Sequence, residues 1–83
     1  MILTFIIVTV SDNQFLQNLL KSINNQNIKN YEIIIVSNNT VQIKKKIKFH
    51  NIITSEENPG EKRNIGANKA RGQFLIFVDD DTI

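Results

Sequence analysis

The chain has 83 residues, a formal net charge of +2 and no cysteine. Its length allows one small domain, which can bury only about 60 to 65% of its unfolded surface. Without cysteine the chain has neither a disulfide framework nor a thiolate metal site, so we expect a cytoplasmic protein, free or held at the cytoplasmic face of a membrane.

The first half of the chain predicts a strand, a helix and a second strand. Residues 3–9 form a near-continuous apolar run rich in β-branched side chains, which is typical of a strand, and Ser11 and Asp12 follow as candidate helix N-caps. An amphipathic helix is predicted over 13–25, because apolar residues recur there at spacings of three and four: Phe15, Leu16, Leu19, Leu20 and Ile23. Residues 31–36 predict a second buried strand.

The second half predicts a shorter strand, a helix and a last strand. Residues 41–48 carry only a weak helical stripe among lysines, and 49–54 predict the third strand. A helix is predicted over 61–71, with Pro59 suited to a turn or a first helical position and Gly72 as a terminating glycine. A further glycine inside this helix, Gly66, predicts close backbone packing, since glycine costs about 1 kcal/mol against alanine there.

The last apolar run stops in three consecutive carboxylates. Residues 74–78 predict a strand buried on both faces, and Asp79, Asp80 and Asp81 follow at its carboxyl end. Strand side chains alternate, so Asp79 and Asp81 would point to one side about 7 Å apart at Cα. At that distance they repel by roughly 2.4 kcal/mol at an effective dielectric near 20, which predicts a cation between them. A solvated acidic turn is the structural alternative.

The order of these elements predicts an α/β fold, a parallel sheet with right-handed crossovers and helices on both faces. We interpret residues 1–83 as a single domain. A doubly wound sheet usually continues beyond such a strand, so we expect this domain to be incomplete, with its open edge covered by a homo-oligomer or by a missing carboxyl-terminal half.

Several polar segments should meet at the carboxyl edge of the sheet. These are 9–12, 37–40 and 79–81, together with 62–64 at the start of the later helix, where backbone N–H groups and the positive helix end favour anions. Carboxylates that bind a cation, facing a basic helix start that binds anions, suit a metal diphosphate. Magnesium or manganese would bridge carboxylate and phosphate oxygens.

With these motifs the chain resembles the nucleotide-sugar-dependent glycosyltransferases of the GT-A fold, family 2. Segments 4–10, 15–26 and 30–36 are similar to the family's opening strand, first helix and second strand. Segment 60–81 is similar to its arginine-asparagine-x-glycine helix and the strand that leads into the DxD metal motif. The fold expected is a Rossmann-like parallel sheet of about four strands in the order 3-2-1-4, truncated after that motif.

The resemblance implies the donor-binding part of an inverting, metal-dependent glycosyltransferase, which transfers a sugar from a nucleoside diphosphate sugar to an unknown acceptor. A UDP-sugar is the expected donor. Asp81 resembles the direct metal ligand and Asp79 the first aspartate of DxD, with Mn²⁺ or Mg²⁺ as the cofactor. The residues implied to border the donor nucleotide are Thr9, Ser11, Asn38, Arg63 and Asp80.

Residues 37–39 depart from the family pattern. Members usually carry paired aspartates after the second strand, one of which hydrogen-bonds the uracil edge, whereas this chain has Ser37, Asn38 and Asn39. Asn38 can still offer a carbonyl acceptor and an amide donor to a base, so we expect weak discrimination between bases. No general base can be assigned in the chain, and the resemblance implies that this residue lies outside it.

Other interpretations stay open from the sequence. The chain can be a nucleotide-binding remnant without turnover, or an interaction module that meets an acidic partner or a lipid surface through a lysine cluster, Lys44, Lys45, Lys46 and Lys48. That cluster contains no arginine and adjoins only one aromatic residue, so we expect no nucleic acid partner. Arg63 can simply pair with Glu57 or Glu61, and Asn38 and Asn39 can simply be turn formers.

Overall fold

A computed structural model describes residues 2–43 and 47–79. Their elements, in chain order, are β1 (Leu3–Val8), α1 (Gln14–Asn25), β2 (Tyr31–Ser37), β3 (His50–Ile53), α2 (Pro59–Lys69) and β4 (Phe74–Asp79). The four strands form one parallel sheet in the order β3-β2-β1-β4, which confirms the predicted fold and strand order.

The two central strands, β1 and β2, are covered on both faces. On one face Phe5 and Ile7 stand beside Ile33 and Ile35 and pack against the buried residues of α1, which are Leu16, Leu20 and Ile23. On the other face Ile6 and Val36 lie against Gly66 of α2. Helices therefore cover both faces, as predicted, and this is why both strands read as continuous apolar runs instead of alternating ones.

Helix α1 begins one residue after its predicted start, and its N-cap lies one to two residues after the predicted caps. Asn13 is the N-cap, since its backbone is still extended and its Oδ1 accepts the Leu16 N–H at 2.8 Å. The expectation for Ser11 and Asp12 was therefore wrong. Phe15, which belongs to the predicted apolar stripe, is 45% exposed, so the buried side of the helix is narrower than the pattern indicated.

Helix α2 begins at Pro59, as the proline allowed, and Asn58 is its N-cap, accepting the Glu61 N–H at 3.2 Å. The helix ends at Lys69, two residues before the predicted end. Gly72 does not have a left-handed backbone; an added Cβ there would lie 2.7 Å from the Thr4 nitrogen, so this glycine permits a close approach to β1. None of the described helices is long and apolar enough to cross a membrane.

The third strand and the segment before it follow the prediction only in part. The strand predicted over 49–54 is present as His50–Ile53. The sequence has a weak helical pattern over 41–48. The described residues of this segment, 41–43 and 47–48, are not helical. Lys44, Lys45 and Lys46 lie outside the described residues.

Strand β4 is much more exposed than predicted. Its side chains Phe74, Leu75, Ile76 and Phe77 are between 37% and 62% exposed, so the expectation of a strand buried on both faces was wrong. The reason lies in its position: within the described ranges β4 is an edge strand that pairs with β1 alone, while α1 packs on the central strands.

A buried carboxylate connects the turn after α2 to the central strands. Glu32 Oε2 accepts the Thr4 hydroxyl at 2.7 Å and the Arg71 N–H at 2.5 Å, and the Gly72 N–H donates to Thr4 Oγ1 at 2.9 Å. Burial raises the pKa of Glu32. The hydrogen bonds from Thr4, Arg71 and Gly72 and the Arg71 charge together outweigh that effect, so the pKa lies below its usual value.

We expect Glu32→Ala to lower the free energy of unfolding by about 1–3 kcal/mol, because the Thr4 hydroxyl and the Arg71 N–H lose their acceptor. A lowered folded-state pKa contributes stability that is complete above the unfolded-state pKa and is lost as the pH falls through the folded-state value. The difference between the native chain and the variant should therefore be full at neutral pH and shrink below about pH 4. Urea unfolding across this range measures it, and a pH-independent difference would contradict the assignment.

Gly66→Ala should destabilise the fold although alanine favours a helix. The added Cβ would lie 2.5 Å from Ile6 Cγ2 and 3.2 Å from Val36 Cγ2. Overpacking of this kind costs about 1–3 kcal/mol, which exceeds the gain of about 1 kcal/mol in helix propensity. Asn68→Ala on the exposed side of the same helix is the control and should stabilise slightly. A Gly66→Ala chain that resists urea better than the native chain would refute this packing.

Candidate functional site

A cleft of about 460 Å³ lies at the carboxyl edge of the sheet. The ends of β1 and β4 and the first turns of α2 form it, and its lining includes Thr9, Val10, Glu57, Gly60, Lys62, Arg63 and Asp79. Parallel strands place all their carboxyl ends on one edge, which is where open α/β sheets bind ligands. The structure thus brings Thr9, Arg63 and Asp79, three of the predicted site residues, to one cleft.

Arg63 and Asp79 form a two-pronged ion pair across this cleft. Arg63 Nε lies 3.1 Å from Asp79 Oδ1, and Nη2 donates to Oδ2. The side chains are 41% and 27% exposed, so solvent weakens the attraction while the forked geometry fixes both groups. The partner of Arg63 is therefore the strand end, not the Glu57 or Glu61 carboxylate that the sequence also allowed.

Lys62 has a role that sequence analysis missed. Its side chain is only 2% exposed, and Nζ lies 3.2 Å from the Thr9 carbonyl oxygen and 2.6 Å from Asn38 Oδ1. The ammonium thus joins the carboxyl ends of β1 and β2. From the sequence, Lys62 was predicted only to be part of a basic helix start. Its buried contacts were not predicted, because a lysine in a polar segment is normally exposed.

The amide of Asn38 is bound inside the chain at both ends. Its Nδ2 donates to the Thr54 carbonyl at 2.9 Å and to the Glu56 carbonyl at 2.8 Å, and its Oδ1 accepts from Lys62. Contact between Asn38 and a nucleotide base stays a prediction. The backbone of Asn38 is not left-handed either, because among the described non-glycine residues only Asn30 has a positive φ.

Thr9 and Ser11 lie in the loop between β1 and α1. Thr9 is buried, its hydroxyl donates to the Ser11 carbonyl at 3.0 Å, and Asn13 Nδ2 lies 3.4 Å from Thr9 Oγ1 and 3.2 Å from the Ser11 carbonyl. Asn13 therefore holds this loop as well as capping α1. Thr9 and Ser11 both lie at the carboxyl edge of the sheet, and their contacts with a nucleotide stay predictions.

The predicted metal ligands are only partly within the described chain. Asp79 ends β4 beside the cleft, whereas Asp80 and Asp81 lie outside the described residues. Residues 2–43 and 47–79 contain no cluster of three or more histidine, cysteine or carboxylate side chains that could hold a metal. The Asp79 carboxylate fits Mg²⁺ or Mn²⁺ in chemistry, because each of its oxygens keeps a lone pair beyond the bond to Arg63.

Comparison with known proteins gives one consistent family. Residues 4–83 match the family model described as Glycosyl transferase family 2. An uncharacterized glycosyltransferase of Haemophilus influenzae is 39% identical over 69 residues, which cover 76% of this chain and 24% of that protein. The GalNAc(5)-diNAcBac-PP-undecaprenol beta-1,3-glucosyltransferase of Campylobacter jejuni is 30% identical over 90 residues, covering 95% of this chain and 29% of that protein.

The fold itself matches a solved structure. The crystal structure of Staphylococcus aureus TarS superposes with a TM-score of 0.79 at 22% identity, over 98% of this chain and 17% of TarS. By sequence, TarS, a poly(ribitol-phosphate) beta-N-acetylglucosaminyltransferase, is 28% identical over 88 residues. The chain thus spans less than a third of the length of these relatives.

We expect the Arg63–Asp79 pair to show measurable coupling. In a double-mutant cycle of Arg63→Met and Asp79→Asn, the interaction free energy should be about 0.2–1 kcal/mol, the range of half-exposed ion pairs. The matched cycle of Arg63→Met with Glu57→Gln should be additive, because Glu57 is not the partner of Arg63. Urea unfolding measures both cycles. Coupling between Arg63 and Glu57, with additivity between Arg63 and Asp79, would contradict this pairing.

Proposed function

The chain belongs to glycosyl transferase family 2, and from this premise we propose that it is the donor-binding part of an enzyme that transfers a sugar from a nucleoside diphosphate sugar to an acceptor. The observation that carries the proposal is the cleft at the carboxyl edge, where Arg63 from α2 pairs with Asp79 from β4. A half-exposed guanidinium and a carboxylate at one cleft suit a ligand that is itself an anion bound with a metal.

The basic side of the cleft suits a diphosphate. Arg63 carries five N–H donors, of which the pair with Asp79 uses two, so the fixed guanidinium can also donate to phosphate oxygens. The amino end of α2 adds its positive dipole on the same side. We propose that Thr9, Ser11 and Asn38 border the nucleoside, and that Asp80 lies near the donor ribose or sugar.

The acidic side suits a divalent cation. We propose that Asp79 and Asp81 hold Mn²⁺ or Mg²⁺, the cations whose preferred ligands are carboxylate and phosphate oxygens. Such a cation supplies neutralisation of the charge that develops on the departing diphosphate. The pairing with Arg63 keeps the Asp79 carboxylate at the mouth of the cleft, where it would share the metal.

The family supports our proposals for the donor and for the stereochemistry. The names of the relatives, a glucosyltransferase and an N-acetylglucosaminyltransferase, support a hexose or an N-acetylhexosamine as the transferred group. We propose a UDP-sugar as the donor and direct displacement with inversion at the anomeric carbon. We place the acceptor site and the general base outside residues 1–83.

One observation favours a second function, nucleotide binding without turnover. The described carboxylates that line the cleft are Glu57 and Asp79, and Asp79 is held by Arg63, so this part of the chain offers binding groups more clearly than a base. The lysine-cluster alternative stays a hypothesis. Lys48 is exposed, and the other three lysines lie outside the described residues.

Binding of UDP should depend on a divalent cation, because the carboxylates and the diphosphate repel each other without one. With Mn²⁺ present, Asp81→Asn should weaken UDP binding most, by about tenfold or more, and Asp79→Asn should weaken it less. Asp12→Asn is the matched control, since Asp12 is exposed at the same edge but does not line this cleft. Titration calorimetry in the presence of Mn²⁺ and in the presence of EDTA measures this. Equal UDP affinity under the two conditions would contradict the proposed metal site.

A further inference from the structure

Lys62 is a buried cation whose partners within the described residues are neutral. Nζ contacts the Thr9 carbonyl and Asn38 Oδ1, and the side chain is 2% exposed. An ammonium buried without a carboxylate costs free energy, so these two contacts recover only part of the desolvation cost. Such a charge is weak evidence for net stability, which leaves the arrangement of the parts that it joins as its candidate role.

Asn38 is the second half of this arrangement. Its amide donates to two carbonyls of the segment after β3, those of Thr54 and Glu56. An aspartate at this position would still accept from Lys62, but its other oxygen would face both carbonyl oxygens at 2.8–2.9 Å. The amide nitrogen is therefore required, which gives a physical reason for asparagine where the family usually has aspartate.

The contacts close into a ring. From Asn38 the connection runs to Glu56, whose carboxylate accepts the Glu57 and Asn58 N–H groups at 3.1 Å. Asn58 caps α2, and α2 carries Lys62, whose ammonium returns to Asn38. We call this closed set the Lys62–Asn38 ring. It joins the ends of β1 and β2, the 54–58 segment and α2, and from these parts Thr9, Glu57 and Lys62 form one wall of the cleft.

We propose that Lys62 and Asn38 are positioning residues for the donor nucleotide, which hold this wall in place, and that Asn38 acts through the ring instead of reading the base. The proposal rests on the proposed function. Its consequence is specific: loss of the ring should weaken all nucleoside diphosphates by a common factor, because the polar atoms of Asn38 are used within the chain and discriminate among no bases.

The test compares two variants with two matched controls in the 83-residue chain. Lys62→Met removes the ammonium at similar length, and Asn38→Asp reverses the amide contacts. Lys69→Met removes an exposed lysine from the same helix, and Asn68→Asp introduces the same negative charge at an exposed position of that helix away from the cleft. Affinities for UDP, CDP and GDP are measured with Mn²⁺ by calorimetry, at a temperature where circular dichroism shows each variant to be folded.

Hydrogen exchange gives a readout that needs no ligand. The Thr9 N–H donates to the Val36 carbonyl at 3.1 Å and the Thr54 N–H to the Ser37 carbonyl at 2.9 Å, so both amides report on the junctions of the ring. In Lys62→Met and Asn38→Asp both should exchange about tenfold faster, and all three affinities should fall about tenfold with their order kept. The controls should change neither quantity.

Two results would overturn the proposal: unchanged exchange and affinity in folded Lys62→Met, or a base preference that Asn38→Asp shifts by more than tenfold while exchange stays constant. If Asn38→Asp does not fold, Lys62→Met against Lys69→Met decides alone. A native chain that binds none of the three nucleotides would overturn the proposed function and the nucleotide role together, and exchange would still show separately whether the ring exists.

Discussion

The parallel pairing of β1 between β2 and β4 is the constraint on which the rest of the structure depends. The in-register pairing sets Val8 beside Val36 on one side and Asp79 on the other, so three strands end at the same edge. Burial of both faces of β1 and β2 makes this register costly to change, because a shift by one residue would break fitted contacts on them, such as Ile6 against Gly66 and the Thr4–Glu32 hydrogen bond. The strands thus bring the residues that follow their carboxyl ends to a common edge, where the cleft lies.

Two neighbouring cations on α2 use that edge in different ways. Successive helical residues point about 100° apart, so Lys62 turns inward to the ends of β1 and β2 while Arg63 reaches the end of β4. The buried lysine meets neutral oxygens and fixes backbone, whereas the half-exposed arginine meets a carboxylate and stays open to a ligand. A single helical turn therefore supplies a structural support and a half-exposed cation at the cleft. This division suits the donor binding that we propose for the cleft.

Much of the fold was predictable from local pattern. The apolar runs of β1 and β2, the helical spacing of Leu16, Leu20 and Ile23, and the position of Pro59 depend on the period of each element and its turn chemistry. The parallel sheet with right-handed crossovers followed from a rule of chain geometry, and the strand order was implied by the family resemblance. The segment 60–81 also carried the family motif, and the candidate site was expected at the carboxyl edge, where the structure has a cleft.

The sequence by itself therefore determined the type and order of the described elements, the strand order and the edge at which the candidate site was expected. Only the tertiary structure decided the partners: Arg63 with Asp79, Lys62 with Thr9 and Asn38, and the exposure of β4. These depend on side chains that lie 16 to 53 residues apart along the chain, and no local period records such distances. An apolar run likewise predicts a buried strand, but whether that strand is buried depends on the elements that pack against it.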